Sequence, residues 1–75
     1  MEKLLVSIAQ GLVEAPDAVK VTVEEGENAT IYHLHVAEDD MGRVIGKQGR
    51  IAKAIRTVMR AAAIRQNTRV VVEID

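Results

Sequence analysis

Two glycines three positions apart, Gly46 and Gly49, interrupt a stretch that is otherwise apolar and basic: Val44-Ile45-Gly46-Lys47-Gln48-Gly49-Arg50-Ile51. Apolar residues keep helical spacing on both sides of the pair, so the chain must join two helices through a very short loop. Glycine lacks a Cβ. Gly46 is therefore expected to leave the first helix in a left-handed conformation, and Gly49 to let another chain lie close against the loop. Lys47 adds a positive charge at the tip, and the helix that starts near Arg50 points its unpaired N–H groups and positive dipole end at whatever the loop holds. An anion suits that position.

The formal net charge of −1 hides a strong asymmetry. Residues 1–42 carry nine acidic and two basic side chains, a balance of −7, whereas residues 43–69 carry eight bases and no acid, a balance of +8. A single small domain split in this way has one face suited to polyanions and a negative remainder that discourages indiscriminate sticking. Taken alone, the basic run also fits a solvated helix face.

The 75 residues make one domain, 1–75, and a chain of that length buries only about 60% of the surface it exposes when unfolded. A hydrophobic fraction of 48% suffices for a packed core and excludes a disordered tail. The absence of cysteine removes disulfides and thiolate metal sites and fits an intracellular, cytoplasmic setting. Residues 1–10 lack the apolar run and cleavage site of a secretory signal, and no segment is long and apolar enough to span a membrane.

Leu4, Leu5, Ile8 and Leu12 recur at helical spacing from Glu2 to about Glu14, where Ala15-Pro16 stops the helix. Val19, Val21 and Val23 alternate with polar residues as in a half-buried strand, and Glu25-Gly26-Glu27-Asn28 supplies a turn. A second alternating run follows, with Tyr32, Leu34 and Val36 inward and Ile31, His33 and His35 outward, completing a hairpin. Glu38-Asp39-Asp40 offers carboxylates to cap a short helix through Met41, Val44 and Ile45. Beyond the glycine loop, a helix from Arg50 to about Gln66 has Ile51, Ile55, Val58, Met59 and Ala62 on its core face and Lys53, Arg56 and Arg60 elsewhere. Asn67 and Thr68 end it, and Val70, Val72 and Ile74 form the inward face of a last strand.

The pattern V-I-G-x-x-G-x-I-x-x-x-I, here Val44 to Ile55, resembles the signature of KH domains, whose G-x-x-G loop clamps about four nucleotides of single-stranded nucleic acid. The order helix, strand, strand, helix, helix, strand resembles the type II, or bacterial-type, KH fold. That resemblance implies an α+β domain, with a three-stranded mixed sheet covered on one face by three helices. A chain that is wholly such a domain is similar to the small bacterial RNA-binding proteins of the KhpA family. The resemblance further implies self-association as a homodimer. It also implies pairing with a larger KH-containing protein of the Jag or KhpB type, in RNA regulation linked to cell division and envelope growth.

On this reading the short helix, the loop and the start of the next helix form one wall of a groove against a sheet edge. Amides from Lys47 to Gly49, with the side chains of Lys47 and Arg50, would hold phosphates, and Gln48 would assist. Val44, Ile45 and Ile51 would floor a slot for unstacked bases, and Arg43, Lys53 and Arg69 would charge its rim. The expected RNA-binding set is thus Arg43, Val44, Ile45, Gly46, Lys47, Gln48, Gly49, Arg50, Ile51 and Lys53. Arg56, Arg60 and Arg65 suit solvent or a protein interface as well as RNA. Tyr32 is the one aromatic residue, so stacking cannot supply affinity, and binding should be weak and salt-sensitive. Residue types do not discriminate RNA from single-stranded DNA.

A nucleotide-binding enzyme is the first rival, because Gly42 to Gln48 looks superficially like a phosphate-binding loop. The glycine spacing is one residue short, and Gln48 stands where that loop needs Ser or Thr for magnesium. His33-x-His35 is the only metal-like pair and lacks a third ligand nearby in sequence, so no metal or cofactor is expected. One serine and two histidines suggest no nucleophile and base pair, and the chain reads as a non-enzyme. The second rival is a KH-shaped dimerisation or adaptor module, for which Ile64, Ala52, Ala61 and Ala63 give the long helix a surface suited to close contact.

Overall fold

The computed structural model describes residues 1–74, and the backbone alone of Lys47. Helix α1 spans Glu2–Leu12; strands β1 and β2 span Lys20–Glu25 and Thr30–His35; helix α2 spans Glu38–Arg65; strand β3 spans Val70–Ile74. The sheet order is β1-β2-β3. β1 and β2 are antiparallel, with Lys20 opposite His35 and Glu25 opposite Thr30. Their turn is closed by the Gly26 N–H donating to Ala29 O at 2.9 Å. A Cβ on Gly26 would sit 2.8 Å from that same oxygen, so the turn requires glycine. β3 lies parallel to β2, Thr30 beside Val70 and Leu34 beside Ile74, because α2 intervenes as a crossover long enough to return the chain in the same direction.

Period-two alternation sorts the sheet into two faces. Tyr32, Leu34 and Val72 turn inward and join Leu5 and Ala9 of α1, Ile55 and Met59 of α2, and Val19 in one core. Leu5, Leu34 and Met59 are wholly buried, and each such side chain contributes about 1.5–3 kcal/mol by leaving water. Thr22, His33 and Glu73 share a row on the opposite, open face, where His33 Nε2 and Glu24 Oε1 are 3.0 Å apart.

The helices depart from expectation in several places. α1 ends at Leu12 rather than near Glu14, because Val13 is already extended, and Pro16–Ala18 forms a short 3-10 turn. Leu5 and Ala9, four residues apart, make its buried stripe, leaving Leu4 and Leu12 partly exposed. Where a helix, a loop and a second helix were expected, one helical stretch runs unbroken from Glu38 to Arg65. Inside it Gln48 and Gly49 take φ values of 66° and 68°, which no right-handed helix allows. α2 is therefore two right-handed arms, residues 38–47 and 50–65, meeting at a left-handed pair. Counted so, the order is the expected α-β-β-α-α-β of an α+β domain, with the helices on one face of a mixed sheet.

Gly46, expected to adopt the left-handed conformation, remains right-handed; the reversal falls two residues later. The second arm buries Ala52, Ile55, Met59 and Ala63, and Val58 is exposed instead of buried. Ala52, Ile55, Met59 and Ala63 form one stripe, and Val58 lies about 100° around the helix from Met59, so it faces outward. Finally, no side chain caps the start of α2. Asp40, expected to do so, is instead 2% exposed. It accepts hydrogen bonds from the backbone N–H groups of Glu14 at 3.1 Å and Ala15 at 3.0 Å.

Candidate nucleic-acid interface

The left-handed pair organises the site. Gly49 meets nothing within 4 Å of where a Cβ would stand, so its glycine identity answers to φ, not to crowding within the chain. Gln48 adopts the same region without that freedom, a strain of about 1–3 kcal/mol that the surrounding arms must hold. Acids at Glu38, Asp39 and Asp40 occupy the first turn of α2, where they complement the helix dipole. The second arm begins differently. Its first turn presents Arg50 and Lys53, both exposed, so cations crowd a dipole end that itself favours an anion.

The predicted residues separate on the surface. Gln48, Arg50 and Lys53 are exposed around the left-handed pair, with Gly46 and Gly49 half-buried beside them. Ile45 is 52% exposed, an apolar side chain of that size left in water one residue from Gly46. Ile51 is half-buried and packs against the core, so it offers one edge. Val44 is wholly buried and has no surface for a base; it supports the arm from beneath, because the inward face of an amphipathic helix lies about 100° around from Ile45. The side chain of Lys47 lies outside the described residues.

Arg43 also departs from the expected rim. Its Nη1 donates to Glu14 Oε1 at 2.8 Å, and that carboxylate raises the guanidinium pKa further above its ordinary value. Arg43 lies about 200° around the helix from Ile45, so it turns toward the loop after α1 rather than toward the apolar surface. Tyr32, buried in the core, is unavailable to stack on a base.

Two cations set apart from the site by their distance along the chain prove to line surface grooves. Arg56 crosses from the second arm to β3, its Nε donating to Val72 O at 3.4 Å. Arg56, Met59 and Arg60 face Val70, Val71 and Val72 across a groove of about 150 Å³. Beyond it a wider groove of about 460 Å³ is lined by Arg60, Ala63, Ile64, Arg69 and Val71, among others. The i, i+4 spacing of Arg56 and Arg60 marked one helix side in the sequence, but only the placement of β3 beside that side makes it a groove wall. Among the described residues no cluster of three or more potential metal ligands occurs.

Comparison with known proteins places this geometry. A family model described as KhpA/KhpB, KH domain, matches residues 2–74. The RNA-binding protein KhpA of Clostridium acetobutylicum is 61% identical over 74 residues, covering 99% of both chains. The corresponding proteins of Clostridium perfringens and Listeria monocytogenes are 57% and 49% identical, covering 99% of this chain and 99% and 97% of theirs. Among solved structures, Aquifex aeolicus Era bound to GDP and aluminium fluoride superposes with a TM-score of 0.69 at 22% identity over 97% of this chain. Era in complex with MgGDPNP and nucleotides 1506–1542 of 16S ribosomal RNA superposes with a TM-score of 0.67 at 21% identity. This chain spans 28% of each Era chain, so that likeness is one of fold within a larger protein. A sequence match from residue 2 to residue 74, on a fold whose helical arms pivot at Gln48 and Gly49, makes this chain a member of the KhpA/KhpB KH-domain family.

Proposed function

We propose that this domain is a non-catalytic binder of short single-stranded RNA, held by phosphate contacts at residues 46–50 with bases laid against Ile45 and the edge of Ile51. The left-handed pair at Gln48 and Gly49 is the observation that carries this reading. The reversal ends the first right-handed arm, and the second arm opens beside Gln48, Arg50 and Lys53, all exposed, so two cations stand at the helix end whose dipole favours an anion. The relatives' name, RNA-binding protein KhpA, and the ribosomal RNA held by Era in one of its structures support RNA as the guest. Phosphate contacts of this kind position a strand and leave its sequence largely unread. Gly46, Lys47, Gln48, Gly49, Arg50 and Lys53 are the proposed phosphate-holding set; Arg56, Arg60 and Arg69 would extend the positive path along the groove beside β3.

Self-association, and pairing with a larger KH-containing protein, belong to the same proposal. Ile64 is 71% exposed at the wider groove, a surface that a second protein chain would cover at a gain. No helix among the described residues is long and apolar enough to cross a membrane. Fluorescence titration of a labelled single-stranded RNA tests the central claim. Lys47→Asp combined with Gln48→Asp should abolish binding and leave the circular dichroism spectrum unchanged; undiminished affinity in a folded variant would transfer the function to protein partners. Sedimentation velocity measures the oligomeric state independently.

A further inference from the structure

Asp40 is the one buried charged side chain among the described residues, and it lies outside the glycine loop. Its carboxylate is divided between two main-chain donors, Oδ1 taking the Glu14 N–H and Oδ2 the Ala15 N–H. One turn further along the same arm, Arg43 holds the Glu14 side chain. Glu14 is thus gripped twice by residues 38–47, once at its backbone and once at its carboxylate, and the chain leaving α1 is tied to the arm that ends at Gln48.

That arm has little else to fix its direction. Of residues 38–47, Val44 is the only wholly buried hydrophobic residue, and neither it nor any other residue of that arm belongs to the core cluster built by α1, the sheet and residues 55 and 59. At its far end stands the left-handed pair that joins it to the second arm. A buried carboxylate with both oxygens satisfied is a directional constraint, whereas a valine contact tolerates rotation.

We infer that Asp40, with the Glu14–Arg43 pair, is a positioning latch that sets the angle of the first arm and so the aim of the glycine loop at its phosphate guest. The inference rests on the RNA-binding reading for its effect on affinity. The latch itself is a statement about this chain alone. Apparent affinity falls by the fraction of molecules whose arm is wrongly set, so a latch residue touching no RNA still weakens binding.

Amide NMR spectra and RNA titrations of Asp40→Asn and Glu14→Gln test it. In Asp40→Asn the amide shifts of Glu14 and Ala15 should move, those of Gln48 and Gly49 should move with them, and those of β2 should not. RNA affinity should fall by about three- to tenfold, the effect of losing one or two hydrogen bonds that favour the competent arrangement. Glu14→Gln separates the latch from bulk electrostatics by sign. Removing an acid and freeing Arg43 should tighten RNA binding if charge alone matters, whereas a loosened latch weakens it and shifts Gln48 and Gly49. If Asp40→Asn does not fold, Glu14→Gln, at an exposed side chain, decides the matter. Unmoved Gln48 and Gly49 amides in a folded variant, or tighter binding by Glu14→Gln, overturn the latch. A wild-type protein that binds no oligonucleotide overturns the RNA reading, and the amide shifts still judge the latch.

Discussion

Gln48 and Gly49 stand side by side at φ 66° and 68°, two left-handed residues in the middle of a chain segment whose other residues are right-handed helix. Only the second is a glycine, so the two should respond oppositely to substitution. Gly49→Ala should lose about 1–2 kcal/mol, since a Cβ meets the carbonyl in that conformation. Gln48→Gly relieves a similar strain and should leave stability equal or higher by up to about 1 kcal/mol. Urea unfolding followed by circular dichroism measures both, and a loss in Gln48→Gly would contradict the assignment of strain.

Gly46 permits stability and function to be pulled apart. It is right-handed, and a Cβ there would meet nothing within 4 Å. Gly46→Ala should therefore stabilise the domain by up to about 1 kcal/mol through helix propensity. On the proposed RNA-binding reading, the added methyl would stand where the sugar-phosphate chain comes close, so RNA affinity should drop. A variant with raised unfolding midpoint and unchanged RNA binding would remove Gly46 from the interface.

Salt should weaken RNA binding steeply, because phosphate neutralisation releases counterions. Arg50→Gln and Lys53→Gln, each at an exposed cation, should each reduce the slope of log affinity against log salt by about 0.7 if the residue neutralises one phosphate of a single strand. Arg43→Gln, at a cation already paired with Glu14, should change that slope less. Equal slopes for all three would place Arg43 on the strand after all.

Burial, with smaller contributions from Glu25 and Glu2, raises the pKa of Tyr32 above the ordinary 10.0. The folded state therefore holds the phenolic proton more tightly than the unfolded state. Its contribution is fully present below the unfolded value and is lost as pH rises through the folded one, so stability should decline above about pH 10. Tyr32 is the only aromatic residue, so its phenolate absorbance follows this single group. Tyr32→Phe should flatten the alkaline decline; a slope identical to wild type would assign it to other groups.

Met59 joins the second arm to the sheet and is wholly buried. Met59→Ala should cost about 2–5 kcal/mol, a large share of the stability available to so small a domain. Thermal unfolding should show a much lower midpoint, and a change of less than about 1 kcal/mol would mean that the core collapses around the gap.

Residue order alone determined the elements whose evidence is periodic. Val70, Val72 and Ile74 face inward because side chains alternate along a strand, and Tyr32 and Leu34 do so for the same reason; the G-x-x-G pair between two amphipathic runs marked the place where two helical arms meet. These are local signals, carried by neighbours a few residues apart. Which residue of the loop reverses its backbone was not among them, since that depends on how two arms pack, and Gln48 rather than Gly46 bears the reversal. Nor could spacing tell that Asp40 turns away from its own helix to hold the N–H groups of Glu14 and Ala15, 26 and 25 residues earlier in the chain. Arg43 looked like a rim cation and Val44 like a groove floor for the same cause: charge and hydropathy state what a side chain prefers, while only the packed fold decides which partner, solvent or core it meets. The placement of β3 parallel to β2 brought Arg56, Arg60 and Arg69 onto groove walls, an arrangement that exists only once the chain has crossed over.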